Sequence, residues 1–101
     1  MATQFPIRVT ISKYIVQETL DRYFDQPELE MPVVIKEGKV ISTVELSEAA
    51  FDILWSDAAY YASWKDERDR SDYLGNKARC DSYERAMKVL QKAVPEAKSA
   101  F

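Results

Sequence analysis

Carboxylates are the most abundant side chains in this sequence that could support acid–base or metal chemistry. The 101 residues include 17 Asp and Glu, no histidine and one cysteine, Cys80. The lack of histidine excludes Ser-His-Asp and Cys-His nucleophiles and any histidine-based zinc site. One cysteine cannot form a thiolate cluster, and no acidic stretch has the spacing of a calcium-binding EF-hand loop. The sequence therefore predicts a protein that is not an enzyme and that needs no metal and no cofactor.

Phosphate-binding loops are also missing from the sequence. Its only two glycines are Gly38 and Gly75, so the sequence contains neither the glycine-rich dinucleotide-binding motif nor the P-loop motif. The net charge is −3, which disfavours nucleic acid as a partner. A nucleotide could still bind without a glycine-rich loop, with a Trp or Tyr ring against its base. A nucleotide-binding protein of the sponge type therefore stays open as an alternative.

The densest acidic segment lies between residues 17 and 30. It contains one base, Arg22, and five acids: Glu18, Asp21, Asp25, Glu28 and Glu30. One interpretation is an acidic face that binds a basic surface of another protein, with Glu18, Asp21 and Asp25 as contact residues. The other interpretation is an ordinary solvated helix face followed by a loop.

Three large aromatic residues, Tyr60, Tyr61 and Trp64, lie near the end of a predicted helix whose other face is already apolar. Tyr and Trp are enriched among the side chains that anchor protein–protein interfaces. The three rings therefore either close against the last helix of the chain or form an exposed anchor for a partner. Together with the three acids named above, they are the predicted partner-binding residues.

The last predicted helix covers about residues 77–94 and ends before Pro95. Its apolar residues recur at alternating spacings of three and four, the pattern of a heptad stripe: Cys80, Tyr83, Met87, Leu90 and Val94. Such a stripe either packs on the preceding helix or pairs with the same stripe of a second copy. In the second case Tyr83, Met87 and Leu90 would carry self-association, and the protein would be a homo-oligomer with a structural or accessory role.

The N-terminal part of the chain predicts a strand followed by a helix. Residues 5–11 alternate between apolar and polar, which indicates a half-buried strand. Ser12 is a suitable N-cap, and the helical spacing of the apolar residues after it predicts a helix at about 13–25. The good strand formers at 14–16 leave a longer strand open as an alternative.

A β-hairpin is predicted over residues 33–44. Two runs of strand-forming residues lie on either side of Gly38, which is expected to take the positive φ angle of a tight turn. With the N-terminal strand, this hairpin makes a sheet of three strands, about the smallest that is stable.

A further helix is predicted over residues 48–74, capped by Ser47 and stopped at Gly75 and Asn76. With the last helix it forms a helical hairpin. The sequence therefore predicts a single α+β domain over residues 1–101. In this domain a small antiparallel sheet, made of the N-terminal strand and the β-hairpin, packs against a C-terminal helical hairpin.

The length and composition of the chain limit its number of domains and its expected location. A chain of 101 residues has room for one domain, and no stretch predicts a signal peptide or a membrane span. The expected location is the cytoplasm, which is that of the host cell if a phage encodes the chain. In length, acidity and lack of motifs, the chain is similar in general character to small phage accessory proteins such as anti-CRISPR inhibitors. No particular residues carry this resemblance.

The expected function is non-catalytic protein binding. The chain would occlude a surface of a larger macromolecular complex, as a phage-encoded inhibitor of host machinery or defence does. The acidic segment, the crowded aromatic residues and the lack of catalytic side chains all favour this hypothesis. A self-assembling structural protein and a nucleotide-binding protein are the alternatives.

Overall fold

The computed structural model describes residues 3–63 and 77–97, and this part of the chain contains three strands and three helices. In chain order they are β1 (Ile7–Ser12), α1 (Lys13–Arg22), β2 (Val33–Glu37), β3 (Ile41–Leu46), α2 (Glu48–Ser63) and α3 (Lys77–Ala93). Trp64 and the predicted helix stop at Gly75 and Asn76 lie outside the described residues. No helix within the two described ranges is long and apolar enough to cross a lipid bilayer.

β1 leads into α1 without a loop. Val9 and Ile11 are buried between exposed neighbours, as the alternating pattern predicts. The chain then turns helical because its buried side chains recur at helical spacing: Ile15, Val16 and Thr19. The longer strand considered for residues 14–16 is therefore wrong. Ser12 occupies the N-cap position, but its side chain makes no capping hydrogen bond, and the helix already ends at Arg22.

β3 is the central strand of an antiparallel sheet with the order β1-β3-β2. Val44 of β3 lies opposite Val9 of β1 and Val34 of β2. The register between β2 and β3 shifts at Ile35, which forms a bulge. β2 is an edge strand, and all five of its residues are exposed although three of them are apolar.

Gly38 is required in the hairpin for a reason other than the predicted one. Its φ angle is not positive, so that part of the prediction is wrong. Its amide donates a hydrogen bond to the carbonyl oxygen of Ile41 at 2.8 Å. A Cβ atom on Gly38 would lie 2.7 Å from the same oxygen. Glycine is needed here because the backbone approaches too closely to leave room for a side chain.

α2 and α3 pack on each other and cover the inner face of the sheet, which confirms the predicted α+β architecture. Ser47 caps α2, since its hydroxyl accepts a hydrogen bond from the amide of Ala50 at 3.1 Å. Every element except β2 contributes to one buried core, whose residues are Val9, Ile11, Ile15, Val16, Val44, Leu46, Ala50, Phe51, Leu54, Trp55, Ala58, Tyr83, Ala86, Leu90 and Val94.

Candidate functional site

A cluster of charged and aromatic side chains joins α1 to both α2 and α3. Arg22, in the last turn of α1, donates two hydrogen bonds to one carboxylate oxygen of Asp57, at 3.0 and 2.9 Å. Tyr23 donates to the other oxygen of that carboxylate at 3.1 Å. Asp57 is only 8% exposed. These hydrogen bonds and the guanidinium charge therefore compensate for the water that the carboxylate loses on folding.

Tyr83 connects this ion pair to a second one. Its hydroxyl accepts a hydrogen bond from Arg22 at 3.0 Å and donates one to Glu18 at 2.7 Å. Glu18 also accepts two hydrogen bonds from Arg79, at 3.0 and 2.7 Å. Burial raises the pKa of the Tyr83 phenol to about 12. At neutral pH the phenol therefore keeps the proton that it donates to Glu18.

Tyr61 lies at the centre of the same cluster. Its ring stacks on that of Tyr83, with centroids 5.0 Å apart. The guanidinium carbons of Arg22 and Arg79 lie 4.6 and 4.5 Å from the centroid of Tyr61, within the range of cation–π attraction. The cluster is termed the helix-junction network, and its members are Glu18, Arg22, Tyr23, Asp57, Tyr61, Arg79 and Tyr83.

The helix-junction network has the properties of a structural element. Each of its charged groups has an opposite charge or a hydrogen-bond donor within the chain. It therefore holds three helices in place and offers no free nucleophile or base. Glu18 and Tyr61, two of the predicted partner-binding residues, are members of this network. Tyr60 lies beside it, with its ring edge-on to that of Tyr61 at 5.0 Å and half of its surface exposed.

The network makes the stability of the protein depend on pH through Glu18. Burial raises the pKa of this carboxyl group, but it is outweighed by hydrogen bonds from Tyr83 and Arg79 and by the charges of Arg79 and Arg22. The pKa therefore lies below its ordinary value of 4.5. The unfolded chain binds a proton at Glu18 at higher pH than the folded chain does. Stabilisation by the ionised Glu18 is complete above pH 4.5 and is lost as the pH falls through the lower folded value.

We expect Glu18→Gln to be less stable than the wild type at pH 7 and to approach the wild-type stability in acid. Urea titrations at a series of pH values down to about 3 measure the difference in the free energy of unfolding. Glu28→Gln is the control, because Glu28 is exposed and has no ion pair with a described residue. It should change the stability by less than about 0.5 kcal/mol. A stability difference for Glu18→Gln that is the same at every pH would contradict the assignment.

The other four acids of the 17–30 segment do not belong to the network. All four are exposed, and none forms an ion pair with a described residue: Asp21, Asp25, Glu28 and Glu30. Phe24 lies among them and is 84% exposed, more than any other large hydrophobic residue of the described chain. Phe24 and these four acids, which lie within ten consecutive residues of the chain, are termed the acidic face. In residues 3–63 and 77–97, no group of three acids or cysteines is placed to hold a metal ion.

The heptad stripe of α3 faces the interior of its own chain. Tyr83 and Leu90 are fully buried, and Met87 is partly buried against the core. The sequence left open whether the stripe packs on the preceding helix or pairs with the same stripe of a second copy. The burial of these residues agrees with packing on the preceding helix. Tyr83 and Leu90 could not reach a second copy without unfolding of the chain.

An apolar groove of about 350 Å³ lies where β1 ends and β3 begins. Four exposed apolar side chains line it: Tyr14, Val40, Ile41 and Val89. Its polar lining residues include Thr10, Ser12 and Ser82. Arg85 of α3 also lines the groove, where it is exposed and donates a hydrogen bond to Ser82 at 3.1 Å.

Sequence reasoning missed this groove because its residues come from β1, α1, the hairpin and α3. A signal was nevertheless present. The hairpin has consecutive apolar residues at 33–35 and at 40–41. Neighbouring residues of a strand point to opposite faces of the sheet. A sheet that is covered on one face only therefore cannot bury both of two consecutive apolar residues.

Neither a scan against protein-family models, nor a search of curated proteins, nor a search of solved structures finds a match for this chain. Its function is therefore inferred from its own surfaces. The acidic face and the apolar groove are two such surfaces, and both carry exposed apolar side chains.

Proposed function

We propose that this chain is a non-catalytic protein-binding protein whose acidic face occludes a basic surface of a larger macromolecular complex. The observation that carries the proposal is the composition of that face. Phe24 is 84% exposed, and the acids around it have no ion pair with a described residue. Binding of this kind requires no covalent step.

An exposed aromatic ring among carboxylates supplies two contributions to a specific interface, namely apolar surface that can be buried and charge that complements a basic partner. Burying a phenylalanine side chain yields about 1.5–3 kcal/mol relative to leaving it in water. Aromatic residues are accordingly frequent in the desolvated centre of interfaces. The surrounding carboxylates speed association with a basic surface and disfavour acidic ones.

The helix-junction network keeps this face acidic. Arg22 is the only base between residues 17 and 30. Its guanidinium binds Asp57 at 2.9 Å and is therefore turned away from the outward acids of the same segment. The charge that the acidic face presents to a partner is consequently that of four carboxylates.

The class of target follows from this charge. Basic grooves are typical of proteins that bind nucleic acid, and an acidic chain competes for such a groove by charge complementarity. The general likeness to small phage accessory proteins makes the host's nucleic-acid-handling and defence complexes the first targets to test.

Affinity capture of the tagged chain from a nuclease-treated native lysate tests the proposal. We expect the wild type to retain a stoichiometric protein partner, with less retained as salt increases. The double variant Asp21→Lys/Asp25→Lys should bind that partner roughly tenfold more weakly or worse, because it replaces attraction to the basic surface by repulsion.

A matched control separates a local effect from a change in net charge. Glu48→Lys/Asp52→Lys makes the same charge change at the same spacing, on exposed positions of α2. This variant should retain the partner. If reversal at Asp21 and Asp25 left the affinity unchanged at low salt, or if both double variants weakened binding equally, the acidic face would not be the binding surface.

A further inference from the structure

Several exposed bases lie together at the end of the sheet where the hairpin turns. β2 starts beside the acidic segment and ends at the hairpin turn, and its five residues span about 17 Å. The turn end carries three exposed bases that have no ion pair with a described residue: Lys36, Lys39 and Arg85. A fourth base at this end, Lys13, pairs with Glu37 at 3.6 Å. The turn end of the domain therefore presents exposed bases, and the acidic face presents exposed acids.

Exposed apolar side chains lie on both of these surfaces. Phe24 protrudes from the acidic face, whereas the apolar groove lies at the turn end. The groove is concave and has apolar walls from Tyr14, Val40 and Ile41, with Arg85 beside them. Its volume of about 350 Å³ has room for an aromatic side chain, and a carboxylate next to that side chain would meet the guanidinium.

We propose that copies of this chain associate head to tail, with Phe24 of one copy in the apolar groove of the next. In this contact Asp21 and Asp25 of the first copy face the bases at the turn end of the second. The apolar groove thus receives an apolar ring, and the bases near the groove receive the carboxylates beside that ring. The occupant is a second copy of this protein.

Such a contact is heterologous, because it joins two different surfaces of the same molecule. Each copy in a pair still has one free acidic face and one free groove, so growth continues into a ring or an open chain of copies. The contact also covers the acidic face on which the proposed function rests, so a copy inside the assembly cannot bind the basic partner. Self-association thereby regulates the proposed binding site.

The first test is the mass of the purified full chain in solution. We expect the weight-average mass measured by analytical ultracentrifugation to rise steadily with protein concentration and to fall in about 0.5 M NaCl, where exposed charges are screened. A chain that stays monomeric at every concentration in low salt would overturn the proposal. A single discrete dimer with no larger species would also overturn it.

The second test uses two variants that each lack one half of the contact. Phe24→Ser removes the protruding ring, and Val40→Asp places a charge of the wrong sign in the groove. Both positions are exposed, so the fold should survive, which circular dichroism checks. We expect each variant alone to be monomeric and an equimolar mixture to form a one-to-one heterodimer, because each supplies the surface that the other lacks. A mixture that stays monomeric would refute head-to-tail docking.

Ile35→Asp serves as the matched control, since Ile35 is an exposed apolar residue of β2 that does not line the groove. It should assemble like the wild type. Loss of assembly in this control, with assembly intact in Val40→Asp, would place the contact at the free edge of β2 and overturn the proposal. Failure here is distinct from failure of the proposed function, because Val40→Asp leaves the acidic face unchanged and should still capture the basic partner from a lysate.

Discussion

Asp57→Ala is expected to lower the free energy of unfolding by about 3 kcal/mol, because it removes the closer counter-ion of the partly buried Arg22 guanidinium and leaves only Glu18, at 3.5 Å. Arg22 and Tyr23 would together lose three hydrogen bonds to that carboxylate. For a domain of about 100 residues, a change of this size lowers the melting temperature by about 12–24 °C. Thermal unfolding followed by circular dichroism measures the shift.

Asp52→Ala provides the control on the same helix. Asp52 is exposed, and no described residue forms an ion pair with it. Its removal should change the stability by less than about 0.5 kcal/mol. Equal effects of the two substitutions would mean that Asp57 contributes only its charge or its helix propensity, and the helix-junction network would lose its assigned role.

The strands and helices follow from local patterns in the sequence, and the prediction succeeded where one pattern dominated. The alternation in residues 5–11 predicted β1, and the heptad stripe predicted α3. The ambiguity at residues 14–16 was settled by tertiary packing, because a helix there buries Ile15 and Val16 in the core. The free energy gained by burying these two side chains outweighs the β propensity of residues 14–16.

The helix-junction network could not be read from the sequence, because its contacts join residues far apart in the chain. Arg22 and Asp57 are 35 residues apart, and Glu18 and Tyr83 are 65 apart. The acidic segment therefore looked uniform, and nothing in the sequence distinguished Glu18 from Asp21 and Asp25 as predicted contact residues. In the structure Glu18 belongs to the helix-junction network, whereas Asp21 and Asp25 are exposed.

Structure and proposed binding are linked through Arg22. Its hydrogen bonds to Asp57 stabilise the packing of α1 on α2, and they also withdraw the only base from the acidic segment. A substitution that releases Arg22 would thus weaken the fold and reduce the net negative charge of the surface in one step. The charge reversal that tests binding is therefore made at Asp21 and Asp25, because these residues lie outside the network.

Leu90→Ala is expected to destabilise the fold by about 2–5 kcal/mol, the usual range for a leucine removed from a packed core. Leu90 is fully buried among residues of the chain itself, so the cavity forms inside the monomer. The loss of stability should therefore be independent of protein concentration. Urea unfolding at two concentrations a factor of about 100 apart measures both quantities.

The adjacent residue of α3 supplies the matched comparison. Val89 is 37% exposed, so Val89→Ala should cost less than about 1 kcal/mol. A Leu90→Ala penalty that grew with protein concentration would place Leu90 in an interface between copies, as the heptad spacing alone allowed. A penalty that stays constant assigns the stripe to the packing of α3 on α2. Assembly of the chain then has to use surfaces outside the stripe, such as Phe24 and the apolar groove.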